Sequence, residues 1–409
     1  MFGKSDFVMP DWRYYPLGIL IFILPSVAVT VKSGATTVFL LILIPSLVFF
    51  RHVRNILHFE EKVFLSCMLL FVILISFSFL NSSDVQESLG SFEKYLRYIV
   101  FIPMYIFLRR HQINLAPWLL YGCLLGCFVM ACVVGYQHYE LGLDRPGGAR
   151  NAARFGFVAV ISLLMLILLL SAEWRNKALF FVGIVVSALV IYAIALNQTR
   201  AAMILVLPFF ILMIFYFRKN INKNFIIIIS IVAFIIGLIS MHPTSPIAKR
   251  FVVAKEEVIA LKKDPIGNYY SSTGLRLHMI HAGAQVFLNN PILGTGLADY
   301  EDDVQKLMDE GKLYVEDEML LTSPHNIYVN MLAETGVLGF FGFIFGVIFA
   351  PLYGYRKLSK RKNNNEKIRL YIYAGVTCLM CYLIFGLFHT WTNINNSVSI
   401  FLLLHLVFM

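Results

Sequence analysis

The sequence predicts an all-α integral membrane protein of about twelve transmembrane helices, with a large helical loop facing outward between helices 9 and 10. Three observations carry that prediction. Of 409 residues, 59% are hydrophobic and 14% charged, with a mean hydropathy of +0.74, whereas soluble domains carry about 45–50% apolar and about 25% charged residues. Apolar runs recur between charged or turn-forming clusters, at lengths approaching the ~20 residues that cross a bilayer. Lysine and arginine collect on alternate connecting segments. Together these exclude a cytosolic enzyme, a secreted disulfide scaffold and a disordered chain.

The runs place helices near 15–31, 35–50, 63–80, 95–108, 115–138, 155–172, 178–196, 201–217, 225–241, 327–350, 369–388 and 396–409. The first two are short enough to fuse into a re-entrant hairpin. Three regions follow: helices 1–9 over 1–241, a loop domain over 242–326, and helices 10–12 over 327–409. The N-terminus shows no cleavable signal peptide, lacking a small-residue cleavage site before the next apolar run.

With the N-terminus inside, 19 of the 34 basic residues fall on inner segments, seven on short outer loops and eight in the long loop. This is a positive-inside pattern with both termini cytoplasmic. The net charge of +10 therefore reflects topology, and no nucleic-acid partner is expected. All six cysteines sit inside predicted spans and read as small hydrophobes. The Cys378-x-x-Cys381 spacing lacks the second pair and the soluble context of a zinc or redox site.

The long loop carries twelve acidic and eight basic residues, and a loop of that length is uncommon unless functional. One helix begins after Ser271-Ser272-Thr273, which offers caps, and stops at Asn289-Asn290-Pro291. Leu277, Ile280, Ala284 and Phe287 form its expected apolar face. An acidic lobe follows from Asp299 to Glu318.

Ionisable groups at the membrane or its edge are costly, which makes each a functional candidate. Arg200 lies in a very short outward turn, Asn197-Gln198-Thr199-Arg200; it reads either as an interfacial arginine that snorkels or as a bidentate phosphate grip. Arg276 stands just inside the loop helix, whose N-terminus suits an anion. Arg145, Arg150 and Arg154, with Gly147-Gly148, form a third basic patch, equally suited to headgroup contact. His325 precedes the tenth span, and its unperturbed pKa near 6.5 suits proton abstraction at neutral pH. Tyr328 and Leu332 would share its helical face, with Glu334 opposite, buried and needing a polar partner on a neighbouring helix. Gly336, Gly339, Gly342 and Gly346 give small-residue packing spacings. Asp299, Glu301, Asp302 and Asp303 could hold a divalent cation but read better as a solvated loop. No phosphate cradle, serine elbow or zinc-ligand set occurs, so neither a metal nor a cofactor is expected.

These residues, in this order, resemble the O-antigen ligase and polymerase superfamily. The resemblance rests on Thr199-Arg200-Ala201 after a span, and on Gly274-Leu275-Arg276 followed by Asn290-Pro291 and Gly294-x-Gly296. Pro324-His325-Asn326, then Glu334-x-Gly336-x-x-Gly339, completes the set, with Arg145-Pro146-Gly147-Gly148 a weaker match. The resemblance implies a C-type membrane glycosyltransferase-like fold in the inner membrane of a Gram-negative bacterium, with a periplasmic active site. It implies transfer of a preassembled glycan from undecaprenyl pyrophosphate to a sugar hydroxyl of lipid A–core, by metal-independent inverting displacement. His325 would be the catalytic base and Arg200 and Arg276 would bind the donor pyrophosphate. Arg145, Arg150, Arg154, Asn326, Tyr328 and Glu334 would support them. A polymerase of the same superfamily would instead lengthen a second lipid-linked unit, and a protein O-glycosylating ligase is a further relative. A non-enzymatic lipid-linked glycan flippase is the alternative from another class; charges gathered at the outer rim speak against it.

Overall fold

The computed structural model describes residues 14–48, 57–149, 151–199, 201–202, 246–263, 271–313, 322–361 and 366–409. Fourteen α-helices and no strands occur among them: α1 (Tyr15–Thr30), α2 (Gly34–Val48), α3 (Phe59–Ser76), α4 (Val85–Arg110), α5 (Ala116–Tyr139), α6 (Ala152–Ala172), α7 (Lys177–Asn197), α8 (Pro246–Lys263), α9 (Ser272–Asn289), α10 (Tyr300–Asp309), α11 (Ile327–Phe343), α12 (Ala350–Arg361), α13 (Glu366–Gly386) and α14 (Asn395–Phe408). Six of the described helical stretches are long and apolar enough to cross a membrane, and α1, α2 and α14 are shorter apolar helices. The chain is thus a multi-pass helical membrane protein. Apart from residues 201–202, the expected spans at 201–217 and 225–241 lie outside the described residues.

Packing follows from apolarity. Helix α6 is apolar on every side, and 89% of its spanning window is buried, as a helix at the centre of a bundle must be. Helices α5, α7 and α13 pack around it, and α1 lies along α5. Towards the periphery, Leu40, Leu41, Ile44, Phe181, Val182 and Val185 are exposed, a surface suited to lipid. Tyr14 bonds His111 (2.7 Å) and Glu61 pairs with Arg109 at the expected inner end. The segments assigned outward gather at the opposite end: Asn396 Oδ1 accepts from Ala35 N (3.0 Å) and Ala149 N donates to Val29 O (2.9 Å).

Two spans differ from expectation. Helix α4 starts at Val85 and not near 95, because the Asp84 side chain accepts from Gln86 N and Glu87 N and caps it. Lys94 and Arg97 are therefore helical, and the buried Arg97 donates to Asn395 Oδ1 at 2.6 Å. Helix α11 continues through a π-helical stretch, Ile344–Phe349, into α12, well past the expected end near 350.

Gly336 breaks α11. Its φ of 59° and ψ of −165° are open to glycine almost alone, and a Cβ there would lie 2.3 Å from Ile292 O. The turn Asn290–Gly296 enters this break. Val337 N donates to Pro291 O (2.9 Å), Thr295 N to Ala333 O (2.9 Å) and Gly296 N to Glu334 O (3.1 Å). Backbone groups freed by a broken helix at membrane depth must be satisfied within the protein, and here the turn satisfies them. The reading of Gly336 as a packing glycine is corrected accordingly. Gly342 and Gly346 do pack closely, against Phe71 of α3.

Candidate active site

Helix α9 runs from Ser272 to Asn289; it ends where expected but starts before the expected point after Thr273, because Ser271 Oγ caps it by accepting from Gly274 N (3.0 Å), and Arg276 lies more than a turn inside it. Its buried face differs from the expected one. Met279, Ala282, Gly283 and Val286 are buried, whereas Leu277 is 57% exposed. The close approach at Gly283 decides the rotation, since a Cβ there would meet Val329 at 2.5 Å and Pro324 at 3.4 Å. Arg276 lies seven residues before Gly283, two helical turns, and so shares the face that meets Pro324.

Pro324-His325-Asn326 is fixed by contacts with the α13–α14 turn. Ser323 Oγ and Thr390 Oγ1 lie 2.9 Å apart, Asn326 Nδ2 donates to Leu387 O (3.3 Å), and Tyr328 OH donates to Leu383 O (2.8 Å). Asn326 also caps α11, accepting from Tyr328 N and Val329 N. Asn326 and Tyr328 thus hold the backbone on which His325 stands. His325 itself lies outside the helix with φ 47°, so the expected sharing of a helical face with Tyr328 and Leu332 does not apply. A non-glycine residue in the left-handed region costs of order 1–3 kcal/mol, and such strain gathers at functional sites.

His325 meets a residue that the sequence reading passed over. The ring of His389, in the α13–α14 turn, stands perpendicular to that of His325 at a centroid distance of 5.8 Å. His389 stacks on Phe385 (5.2 Å, 22°), and Phe385 stacks on Phe157 of α6 (4.1 Å, 17°). Arg154 lies three residues before Phe157, on the same face of α6. Burial and then the Arg276 guanidinium hold the His325 imidazole below its ordinary pKa. Burial pushes His389 down to about 3, with His325, Arg154 and Arg276 acting in the same direction. His325, His389, Arg154 and Arg276 therefore form one electropositive corner, at the end of the bundle expected to face outward. Sequence logic could have found His389: it is an ionisable residue at a span edge, within the polar stretch His389-Thr390-Trp391-Thr392-Asn393.

Arg150 and Arg200 lie outside the described residues. The segments that carry them are tied together: Asn197 Nδ2 donates to Pro146 O (2.7 Å) and Ala152 O (3.0 Å), and Gln198 Nε2 donates to Asp144 O (3.0 Å). Arg145 is exposed on this loop. Four buried polar atoms beside these turns have no hydrogen-bond partner among the described residues: Arg154 Nε, Asn197 Oδ1, Thr199 Oγ1 and His389 Nδ1.

Glu334 belongs to a different region. It is 5% exposed and accepts from Asn330 Nδ2 at 2.9 Å, one turn earlier on its own helix, and from the backbone of Ala298. The expected neighbour on another helix enters as Lys94 of α4, through charge. Asp299 and Asp303 are held by protein groups, accepting from Ser83 N (2.7 Å) and from Thr295 Oγ1 respectively.

Two motif segments that lie far apart in sequence, around Gly294 and Gly336, interlock in the break of α11, while Arg276 and His325 face one corner. Residues 185–344 match the O-antigen ligase family model. The family resemblance read from the sequence is thereby shown over that span, which holds Arg200, Arg276, His325 and the Gly336 break but not Arg154 or His389. No curated protein matches the chain.

Proposed function

We propose that this protein is an O-antigen ligase, transferring a preassembled glycan from undecaprenyl pyrophosphate to a sugar hydroxyl of lipid A–core. What supports the reading most is His325, a strained imidazole kept neutral beside Arg276 at the outward rim. A general base must be unprotonated at working pH and within reach of the hydroxyl. His325 takes the proton of the acceptor hydroxyl, whose oxygen attacks the anomeric carbon. The bond from that carbon to the pyrophosphate oxygen breaks, and its electron pair leaves on the pyrophosphate. Arg276 and Arg200, with Arg154, bind that group and stabilise its growing charge where water is partly excluded. One base without a carboxylate nucleophile gives a single displacement with inversion. Asn326 and Tyr328 position the base, Arg145 and Arg150 serve the donor's approach, and Glu334 has a structural role.

On this reading residues 242–326 form a periplasmic lobe over the outer rim, in the inner membrane of a Gram-negative cell with both termini cytoplasmic. The test is genetic. Deleting the gene should leave bare lipid A–core and an accumulation of polymerised lipid-linked glycan. Core capped by a single repeat unit would identify a polymerase, and loss of the donor from the periplasmic leaflet would identify a flippase.

A further inference from the structure

We propose that His389 is a donor-binding residue of this site, its imidazole donating a hydrogen bond to the pyrophosphate of the lipid-linked substrate beside Arg154 and Arg276; the inference rests on the ligase reading above. His389 is 7% exposed, and its Nδ1 is buried without a hydrogen bond of normal geometry among the described residues. Most buried polar side-chain atoms are satisfied, so such an atom calls for a partner that the chain itself does not supply. Arg154 Nε is in the same condition, and the Phe157–Phe385–His389 stack ties the α13–α14 turn to α6, where Arg154 precedes Phe157 by three residues on the same face.

Charge identifies the ligand. His389 faces His325, Arg154 and Arg276, and among the described residues no carboxylate acts on it; the Thr390 backbone works in the other direction. An imidazole among guanidinium groups is forced neutral, and a neutral imidazole still carries one N–H donor. An oxyanion entering the corner is attracted by both arginines and accepts from that N–H. Two ionised oxygens close together, as on a pyrophosphate, match two guanidinium groups and an imidazole better than a neutral sugar hydroxyl does. His389 also sits on a rigid turn. Trp391, beside His389, is fully buried and donates to Tyr382 O (3.1 Å), and Thr390 bonds Ser323. The same turn therefore fixes His389 and the segment that carries His325, and pyrophosphate held by His389 lies next to the base.

The test uses the full-length protein in lipid nanodiscs with undecaprenyl pyrophosphate as the probe. His389→Phe keeps the ring on Phe385 but removes both nitrogens, whereas His389→Asn offers an amide N–H close to the Nδ1 position. His389→Phe should weaken undecaprenyl pyrophosphate binding, and raise the KM for the donor, about 10- to 100-fold, the range of a hydrogen bond to a charged group. His389→Asn should recover most of that loss, and the KM for lipid A–core should stay unchanged in both. In wild-type protein labelled with 15N-histidine, the His389 resonance, assigned through His389→Asn, should shift on addition of the probe. This second readout decides the matter even where His389→Phe fails to fold. Unchanged binding in His389→Phe, an effect confined to the acceptor KM, or an unmoved resonance while the probe binds would each overturn the inference and leave the ligase reading standing. Wild-type protein that does not bind undecaprenyl pyrophosphate at all would overturn both.

Discussion

Two polar regions flank the first half of α11, one at Gly336 within it and one at His325 before its start, and they are built on opposite plans. In the Gly336 break, the amides of Thr295, Gly296, Val337 and Leu338 all reach carbonyl partners, and Asn81 Nδ2 adds a bond to Gly294 O (2.9 Å). In the His325–His389 corner, Arg154 Nε and His389 Nδ1 are buried without a hydrogen-bond partner among the described residues, and two arginines act on two imidazoles. The first region uses polarity to hold a helix together. The second keeps polarity unspent, as a site that expects an anion does. Changes in the break should therefore affect folding, and changes in the corner should affect chemistry.

The largest effect is expected at Gly336. Gly336→Ala places a Cβ against Ile292 O in a conformation that costs of order 1–3 kcal/mol for a residue other than glycine, before the clash is counted. Folded protein should be lost, as read by size-exclusion yield and thermal unfolding. Wild-type yield and Tm would show that the break is not required.

His325→Ala should reduce transfer by roughly 10²–10⁴-fold with little change in Tm, since alanine meets the same positive φ as histidine. Retention of more than about a tenth of wild-type turnover would remove His325 as base.

Next come the arginines. Arg276→Lys should raise the donor KM, because a lysine cannot reproduce a bidentate grip, and the same holds for Arg200→Lys. Arg276→Gln adds a pH signature. A base works only when deprotonated, so activity falls as pH drops through the His325 pKa. Since burial and Arg276 lower that pKa, the acid limb should lie below about pH 6.5 in the wild type and move upward in Arg276→Gln. An unmoved acid limb would mean that Arg276 does not act on the base.

The smallest effect belongs to the break's rim. Asn81→Ala removes one hydrogen bond to Gly294 O and should cost about 1 kcal/mol of stability with no change in turnover. A turnover defect without a stability defect would erase the distinction between the two regions.

Much of this was legible in the sequence, for reasons particular to each element. The bounds of α9 were readable because Ser271 and Asn290-Pro291 are local signals, acting through caps and the missing proline amide. Its buried face was not, since two apolar stripes compete and the choice depends on Gly283 meeting Val329 and Pro324 from a distant helix. The N-terminus of α4 was missed because charged residues were read as loop, although Arg97 is buried against Asn395, across the chain. His325 stood out through its neighbours Pro324 and Asn326. His389 did not, because contacts across the chain, Ser323–Thr390 and Asn326–Leu387 among them, bring its turn to His325.

The most direct test of the central claim uses purified protein in liposomes, supplied with undecaprenyl-pyrophosphate glycan and lipid A–core together. The account predicts glycan-capped lipid A–core and released undecaprenyl pyrophosphate, with no lengthening of the donor chain and no product from His325→Ala. A lengthened lipid-linked glycan over an unmodified core would contradict it.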